Sequence, residues 1–565
     1  MKRTWNTWRE ALIITALYGL TAVLMTYPLL FRLTSGLAIQ LLDGWIFYWN
    51  SWWLQKAVAT GQNPFFTNLL FYPRGVSLAG HSFSFTHSIF SLLFQPFVGP
   101  IAAYNLAIWL IFPISGLGMY CLAKHLTGSR PAAWLGGLVY AYAPYHLTQA
   151  LGHPHLAYVQ WIPFAILFLL RAIQFGSARD AVASVVFFTL TAFSGQHLLV
   201  FAFTWTAIFI PLYRWNEKQH WHRSAWPRLG LIALGTLLFA APLWWPAVSY
   251  EIQGQSVLKQ AIHDFDYSPT DVMAYFIPPR LHPVYGSSLA EIYRDLDSNR
   301  AWIPYLGYSI LALSAVGAVT LRRRSLPWVI SGTACIVLAL GPHPVVNGVH
   351  YEGLPLPFAL LENTIPFNFL RSTDRFNIMV SLPLGVLAAY GFAALEQRRL
   401  FARRIATATG VTALSSLILL EYLTLPYPMK PVPQHSSFVT RIAQDPLHYG
   451  ILDLPMGRDK SKVYLYWQTI HQKPILEGHV SRTPPEAYHF IESNALLRAL
   501  RHPLPMELTK PIGPSALKEL ADHHVRYILA HYPKDAPEVS RKYRTIIGSD
   551  PVHTDALLEV YAISE

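Results

Sequence analysis

Charge is what this chain has least of. Only 13% of its 565 residues are Asp, Glu, Lys or Arg, while 53% are hydrophobic; soluble domains carry roughly 25% charged residues. So little charge excludes an ordinary water-soluble globule and points to a bilayer. Cysteine is scarcer still. Cys121 and Cys335 both lie in apolar stretches, which excludes a disulfide scaffold and a cysteine metal centre. The sequence has no GxxxxGK[ST] loop, so it is not a pump driven by a P-loop ATPase of its own. It has no GxSxG elbow, which weakens a serine-hydrolase reading. The apolar stretches hold almost no ionisable residue, whereas an ion-coupled transporter needs such groups near the membrane midplane.

What is present is a series of apolar stretches of about the length a membrane span requires. They fall near 11–31, 101–122, 132–147, 157–176, 181–194, 198–213, 229–249, 303–321, 326–340, 377–395 and 405–425, about 11 spans in all. The pair between Ala181 and Tyr213 reads as either a tight hairpin around Gly195-Gln196-His197 or one long helix. The first stretch is too long for a signal-peptide core and reads as an uncleaved anchor.

The net charge of +12 suggests nucleic acid until its placement is considered. Basic residues cluster between alternate spans: Lys124 and Arg130, Arg171 and Arg179, Arg214 to Arg228, Arg322 to Arg324, and Arg398 to Arg404. The short loops around His153 and Gln196 have no Lys or Arg. This is the positive-inside pattern. It predicts a polytopic α-helical protein of the cell (plasma or inner) membrane, with the N-terminus inside and no nucleic-acid partner.

That orientation puts three long loops outside, at 32–100, 250–302 and 341–376, on a transmembrane domain spanning 1–425. After the linker LPYPMKPVP, residues 426–565 alternate strand-length apolar runs with helical patterns. They predict an extracytoplasmic C-terminal α/β domain.

One carboxylate stands out. Asp43 follows the first span at once, in LLDGWIFYWNSWWL. On a helix starting there, Asp43, Phe47 and Asn50 share one face and Trp45, Trp49 and Trp52 the opposite one. Indoles favour the headgroup layer, so the tryptophan face is expected on the bilayer and the Asp43 face toward protein and water. Asp43 is then a candidate general base, or simply a helix cap. Asn50 and the outer histidines His81, His153, His155 and His197, with Gln196 and Asp266, are candidate substrate contacts. Histidine and carboxylate also suit a divalent cation, the one cofactor this set could take, though no spacing requires it. Arg371 and Arg375 lie just before a span on the side where arginine is under-used. They suit a lipid phosphate, since guanidinium binds phosphate bidentately. The segment Tyr464 to Arg482 carries residue types that bind sugars by stacking and hydrogen bonds.

Taken together, Thr26-Tyr27-Pro28, Asp43, Trp49-Asn50, Trp52-Trp53, Pro366 with Arg371 and Arg375, Asp453-Leu454-Pro455, Gln468-Thr469, His471 and Gly478 make the chain resemble the GT-C superfamily of membrane glycosyltransferases. The resemblance is distant, on the side of glycosyltransferase family 39 and uncharacterised bacterial multi-spanning members. It implies transfer of a sugar, hexosyl or pentosyl, from a polyprenyl-phosphate donor to a glycan, lipid or protein acceptor on the outer face, with Asp43 as the general base and inversion at the anomeric carbon. Many relatives carry a second acidic residue in an early outer loop. Here the second outer loop reads Gly152-His153-Pro154-His155, so either a histidine stands in, or Asp266 does, or the activity is altered. The opposing reading is a non-catalytic protein for lipid or polysaccharide export or assembly.

Overall fold

In a computed structural model the described residues are 4–252, 268–296, 304–367, 370, 372–398, 404–501, 514–531 and 537–563. The chain forms two compact units.

The larger unit comprises Met1–Gln40, Ser84–Leu243 and Asp264–Lys430 and is helical. Each of the eleven apolar stretches overlaps helix among the described residues, but 132–147 is two helices, Arg130–Ala141 and Pro144–Gln149, rather than one span. Among the described residues six helices are long and apolar enough to cross a membrane: Trp8–Met25, Pro100–Thr127, Pro154–Phe175, Gln196–Asn216, Ala225–Pro246 and Thr373–Gln397. Phe85–Val98, Tyr308–Thr320 and Ile405–Glu421 are shorter apolar helices. The chain is a membrane protein. Its large apolar side chains on the outward faces, such as Leu12, Leu20, Leu234 and Phe239, are what a lipid solvent permits.

The 181–213 alternative resolves as two helices, Ala178–Ser194 and Gln196–Asn216, broken at Gly195. The residue type follows from space. A Cβ on Gly195 would stand 2.0 Å from the His155 carbonyl oxygen, so only glycine lets the hairpin tip close on that backbone. The helices of this unit approach closely elsewhere too. A Cβ on Gly391 would fall 1.9 Å from the Leu313 carbonyl oxygen, and one on Gly317 would fall 2.4 Å from that of Leu387. Small residues at such crossings are the usual device of membrane helix packing.

The smaller unit comprises Leu41–Phe83, Trp244–His263 and Pro431–Glu565. Its sheet has the parallel pair Gly450–Leu454 and Val525–His531, then Leu558–Ala562 and His553–Thr554, each antiparallel to its predecessor. Helices Ser437–Gln444, Ser461–His471, Pro514–Asp522 and Pro537–Ile547 accompany it. The Asp43–Ala59 helix belongs to this unit. Acid in its first turn and Lys56 in its last match the helix dipole. The segment after it is joined to the α/β body by backbone hydrogen bonds, Tyr72 N–H to Ile475 O (3.1 Å) and Ile475 N–H to Leu69 O (2.9 Å).

Candidate functional site

The smaller unit holds Asp43, Asn50 and His81. Asp43 is not the helix cap: Leu42 takes that position and offers no side-chain bond. The Asp43 carboxylate is 2.7 Å from the Lys462 ammonium in the first turn of Ser461–His471, and Asp459 lies 2.9 Å from the same nitrogen. Burial alone would depress the lysine. The charges and hydrogen bonds of Asp43 and Asp459 outweigh it, and its pKa is raised. The Asp43 side chain remains 23% exposed, enough to meet a ligand from water.

The tryptophan face does not lie on lipid, contrary to expectation. Trp45 and Trp49 of that face are buried, as is Trp53 at its edge, while Trp52 is half-buried. Trp45 packs on Tyr466 with centroids 5.0 Å apart, and the Trp49 indole N–H donates to Gln468 Oε1 at 2.7 Å. An indole is amphipathic, and a protein surface carrying an amide acceptor satisfies it as well as a headgroup layer does. Behind this face His81 and Asn50 form one network. His81 Nε2 meets Asn50 Oδ1 at 2.8 Å, the Ser481 N–H donates to His81 Nδ1, and Asn50 Nδ2 donates to the Ser82 carbonyl. Burial, with Arg458 adding repulsion, pushes His81 down to about 3. The imidazole is therefore neutral at physiological pH, with Nε2–H the donor and Nδ1 the acceptor.

The segment 464–482 is also not an open sugar platform. Tyr464, Trp467, Gln468 and His471 are buried, and Trp467 stacks on His531 with centroids 4.2 Å apart. These residues build the body of the unit. Lys462, two residues before the segment, is the ion-pair partner of Asp43 that sequence reasoning missed. Its one signal was a lysine opening a helical pattern.

The larger unit holds His153, His155, Gln196, His197 and Arg375. His153 precedes the short Pro154–Ala157 helix. Its ring is 5.7 Å from that of His155, which is 6.4 Å from that of His197. The Gln196 amide donates to the Leu243 carbonyl at 2.9 Å. His146, which sequence reading passed over, reaches the carbonyls of Ala141 and Ala157, both at 2.8 Å, and ties the ends of this loop. Arg375 sits in the turn Thr373–Phe376, directly before the Asn377–Gln397 helix. Its neighbour Asp374 accepts a hydrogen bond from the Tyr145 hydroxyl at 3.1 Å. Asp266 and Arg371 lie outside the described residues. Among the described residues no group of three or more His, Cys, Asp or Glu is arranged to hold a metal ion.

No family model matches the sequence, and no curated protein matches it. Solved structures do. The arabinofuranosyltransferase AftD from Mycobacteria matches over 99% of this chain at TM-score 0.58 and 17% identity. This chain covers 40% of AftD, so it corresponds to less than half of that protein. ArnT from Cupriavidus metallidurans, solved bound to undecaprenyl phosphate, matches over 97% of this chain and 98% of its own at TM-score 0.52 and 12% identity. The Archaeoglobus fulgidus oligosaccharyltransferase AglB, solved with an inhibitory peptide and a dolichol-phosphate, matches over 97% of this chain and 72% of its own at TM-score 0.52 and 13% identity. At such identities the likeness is one of fold. This chain shares the fold of these three solved proteins.

Proposed function

We propose that this chain is a membrane glycosyltransferase that moves a sugar from a polyprenyl-phosphate donor to an acceptor on the outer face. The observation that carries the reading is the fold, shared over nearly the whole chain with a protein solved bound to undecaprenyl phosphate and another solved with dolichol-phosphate. The partly exposed carboxylate of Asp43, in the first turn of its helix, supports the chemistry.

In this reading the acceptor hydroxyl oxygen attacks the anomeric carbon as the bond to the lipid phosphate breaks. Asp43 takes the hydroxyl proton as general base, and the phosphate leaves with the electron pair. A single displacement inverts the anomeric centre. Arg371 and Arg375 receive the phosphate, since guanidinium stabilises charge that builds on the departing oxygens. His153, His155, Gln196 and His197 contact sugar or acceptor, and Asp266 is a further contact. His81 and Asn50, committed to each other, hold the Asp43 helix in place.

The test is Asp43→Asn in full-length protein, assayed with synthetic polyprenyl-phosphate pentoses and hexoses. Transfer is expected to fall at least about 100-fold, the usual scale for a lost general base, with unchanged accumulation in the membrane. Transfer at the wild-type rate would remove Asp43 from the reaction.

A further inference from the structure

A buried ammonium needs compensating charge, because leaving water without it is costly. Lys462 is 14% exposed and has two carboxylates against it, Asp43 and Asp459. They are not equal partners. The Asp459 side chain is 83% exposed, and water screens most of what it offers. Asp43, 23% exposed and 2.7 Å away, carries most of the compensation.

The lysine is held in place. Its helix is locked to the Asp43 helix by Trp49–Gln468 at 2.7 Å and by the packing of both Trp45 and Tyr48 on Tyr466. Gln468 is tied in turn, donating to the carbonyls of Leu69 and Lys473. A charge on a fixed helix turn then faces the first turn of another fixed helix.

We propose that Lys462 is a positioning residue for Asp43: a cation supplied from the far end of the sequence that keeps the Asp43 carboxylate ionised and aimed. Its catalytic meaning rests on Asp43 being the general base; the pairing itself does not. Other charged and titratable groups around it include Asp459, His479, Arg458 and His81. His479 feels the charges of both Asp43 and Lys462, and burial with Arg458 and Lys462 keeps it well below the usual histidine range, so it adds no positive charge at neutral pH. An opposite charge in contact favours the ionised form, and its loss raises a carboxyl by about one to three pH units. Lys462 is therefore expected to hold Asp43 ionised further into acid than it would be alone.

The experiment reads Asp43 directly. Full-length protein in detergent is treated with a water-soluble carbodiimide and an amine from about pH 3 to pH 7, and labelling of the Asp43 peptide is followed by mass spectrometry. The reagent reacts with the protonated carboxyl, so the labelling midpoint follows its titration. Lys462→Met is expected to raise the midpoint by about one pH unit or more, and Lys462→Arg to leave it near the wild-type value. Asp459→Asn, an exposed change that spares the fold, is expected to move it little, because water already screens that carboxylate. A Lys462→Met midpoint equal to wild type, or an Asp459→Asn midpoint that rises as far as that of Lys462→Met, overturns the proposal. A lysine that served packing alone would lower the yield without moving the midpoint. The acid limb of sugar transfer separates the two claims. If the limb moves with the labelling midpoint, Asp43 is both paired and the base. If labelling moves and the limb does not, the pairing stands and the base assignment falls.

Discussion

One helix pair of the larger unit meets through glycines; one of the smaller unit meets through indoles, amides and charges. Gly391 lies against the Leu313 carbonyl and Gly317 against that of Leu387, where the Ser314 hydroxyl adds one long hydrogen bond to the Leu384 carbonyl at 3.5 Å. The Asp43–Ala59 and Ser461–His471 helices instead join by Trp49–Gln468, by Trp45–Tyr466 and by Asp43–Lys462. The contrast follows the solvent. Lipid is as apolar as a leucine side chain, so close backbone approach drives association there. In water, buried area and satisfied polar groups do. The two units should therefore fail in different ways.

The largest effect is expected from Gly391→Val. Its side chain must push the Leu313 carbonyl away, at a cost of about 3 kcal/mol or more. Size-exclusion profiles of the detergent-extracted protein should show loss of the monodisperse species. Normal behaviour would mean that the two helices can part freely. Next comes Gln468→Leu, which takes the partners of the Trp49 N–H and the Lys473 carbonyl and one of two donors from the Leu69 carbonyl, for about 2 kcal/mol. Thermal unfolding followed by tryptophan fluorescence would report it, and an unchanged midpoint would mean that the amide network is ornamental.

A third effect depends on pH. Burial works against the Glu559 carboxylate, but hydrogen bonds from Ser540, Arg544 and Tyr561 outweigh it and hold its pKa below the ordinary value. A depressed carboxyl contributes stability that is complete above its unfolded pKa, about 4.3, and is lost as pH falls from there through the folded value. Glu559→Gln should therefore flatten the decline in unfolding temperature below about pH 4.3. An equally steep decline in the variant would assign acid sensitivity elsewhere. The smallest change is expected from Arg171→Ala. It removes a half-exposed ion pair with Asp180 and should alter stability by no more than about 1 kcal/mol. A larger loss would show charge holding the larger unit together as well.

Much of the fold was legible in the sequence. Apolar run length is a strong signal: every predicted stretch overlaps helix among the described residues, though 132–147 breaks in two at Tyr142 and Ala143. The break at Gly195 was one of two readings, and only the nearby His155 backbone decides between them. The Phe85–Val98 helix was absorbed into a long loop, because His87, Ser88, Ser91 and Pro96 interrupt its apolar pattern. Strand-length runs located the sheet, though Pro474-Ile475-Leu476 contributes only an isolated bridge to Ile451. The site was less legible. Asp43 was visible from its place after the first span. Its ion-pair partner was not, since 419 residues separate them in a sequence that says nothing about which distant lysine a carboxylate will meet. The tryptophan face was misassigned because an indole pattern cannot distinguish bilayer from protein.

The smaller unit is discontinuous, and this bears on biogenesis. Its opening piece, Leu41–Phe83, is synthesised before nearly all of the helices, whereas the body it needs, Pro431–Glu565, follows them. Until that body emerges, Trp45 lacks Tyr466 and Trp49 lacks Gln468 to cover them. A nascent chain halted or clipped before residue 431 would thus display a sticky aromatic ridge, a natural handle by which chaperones and proteases could tell unfinished copies from finished ones.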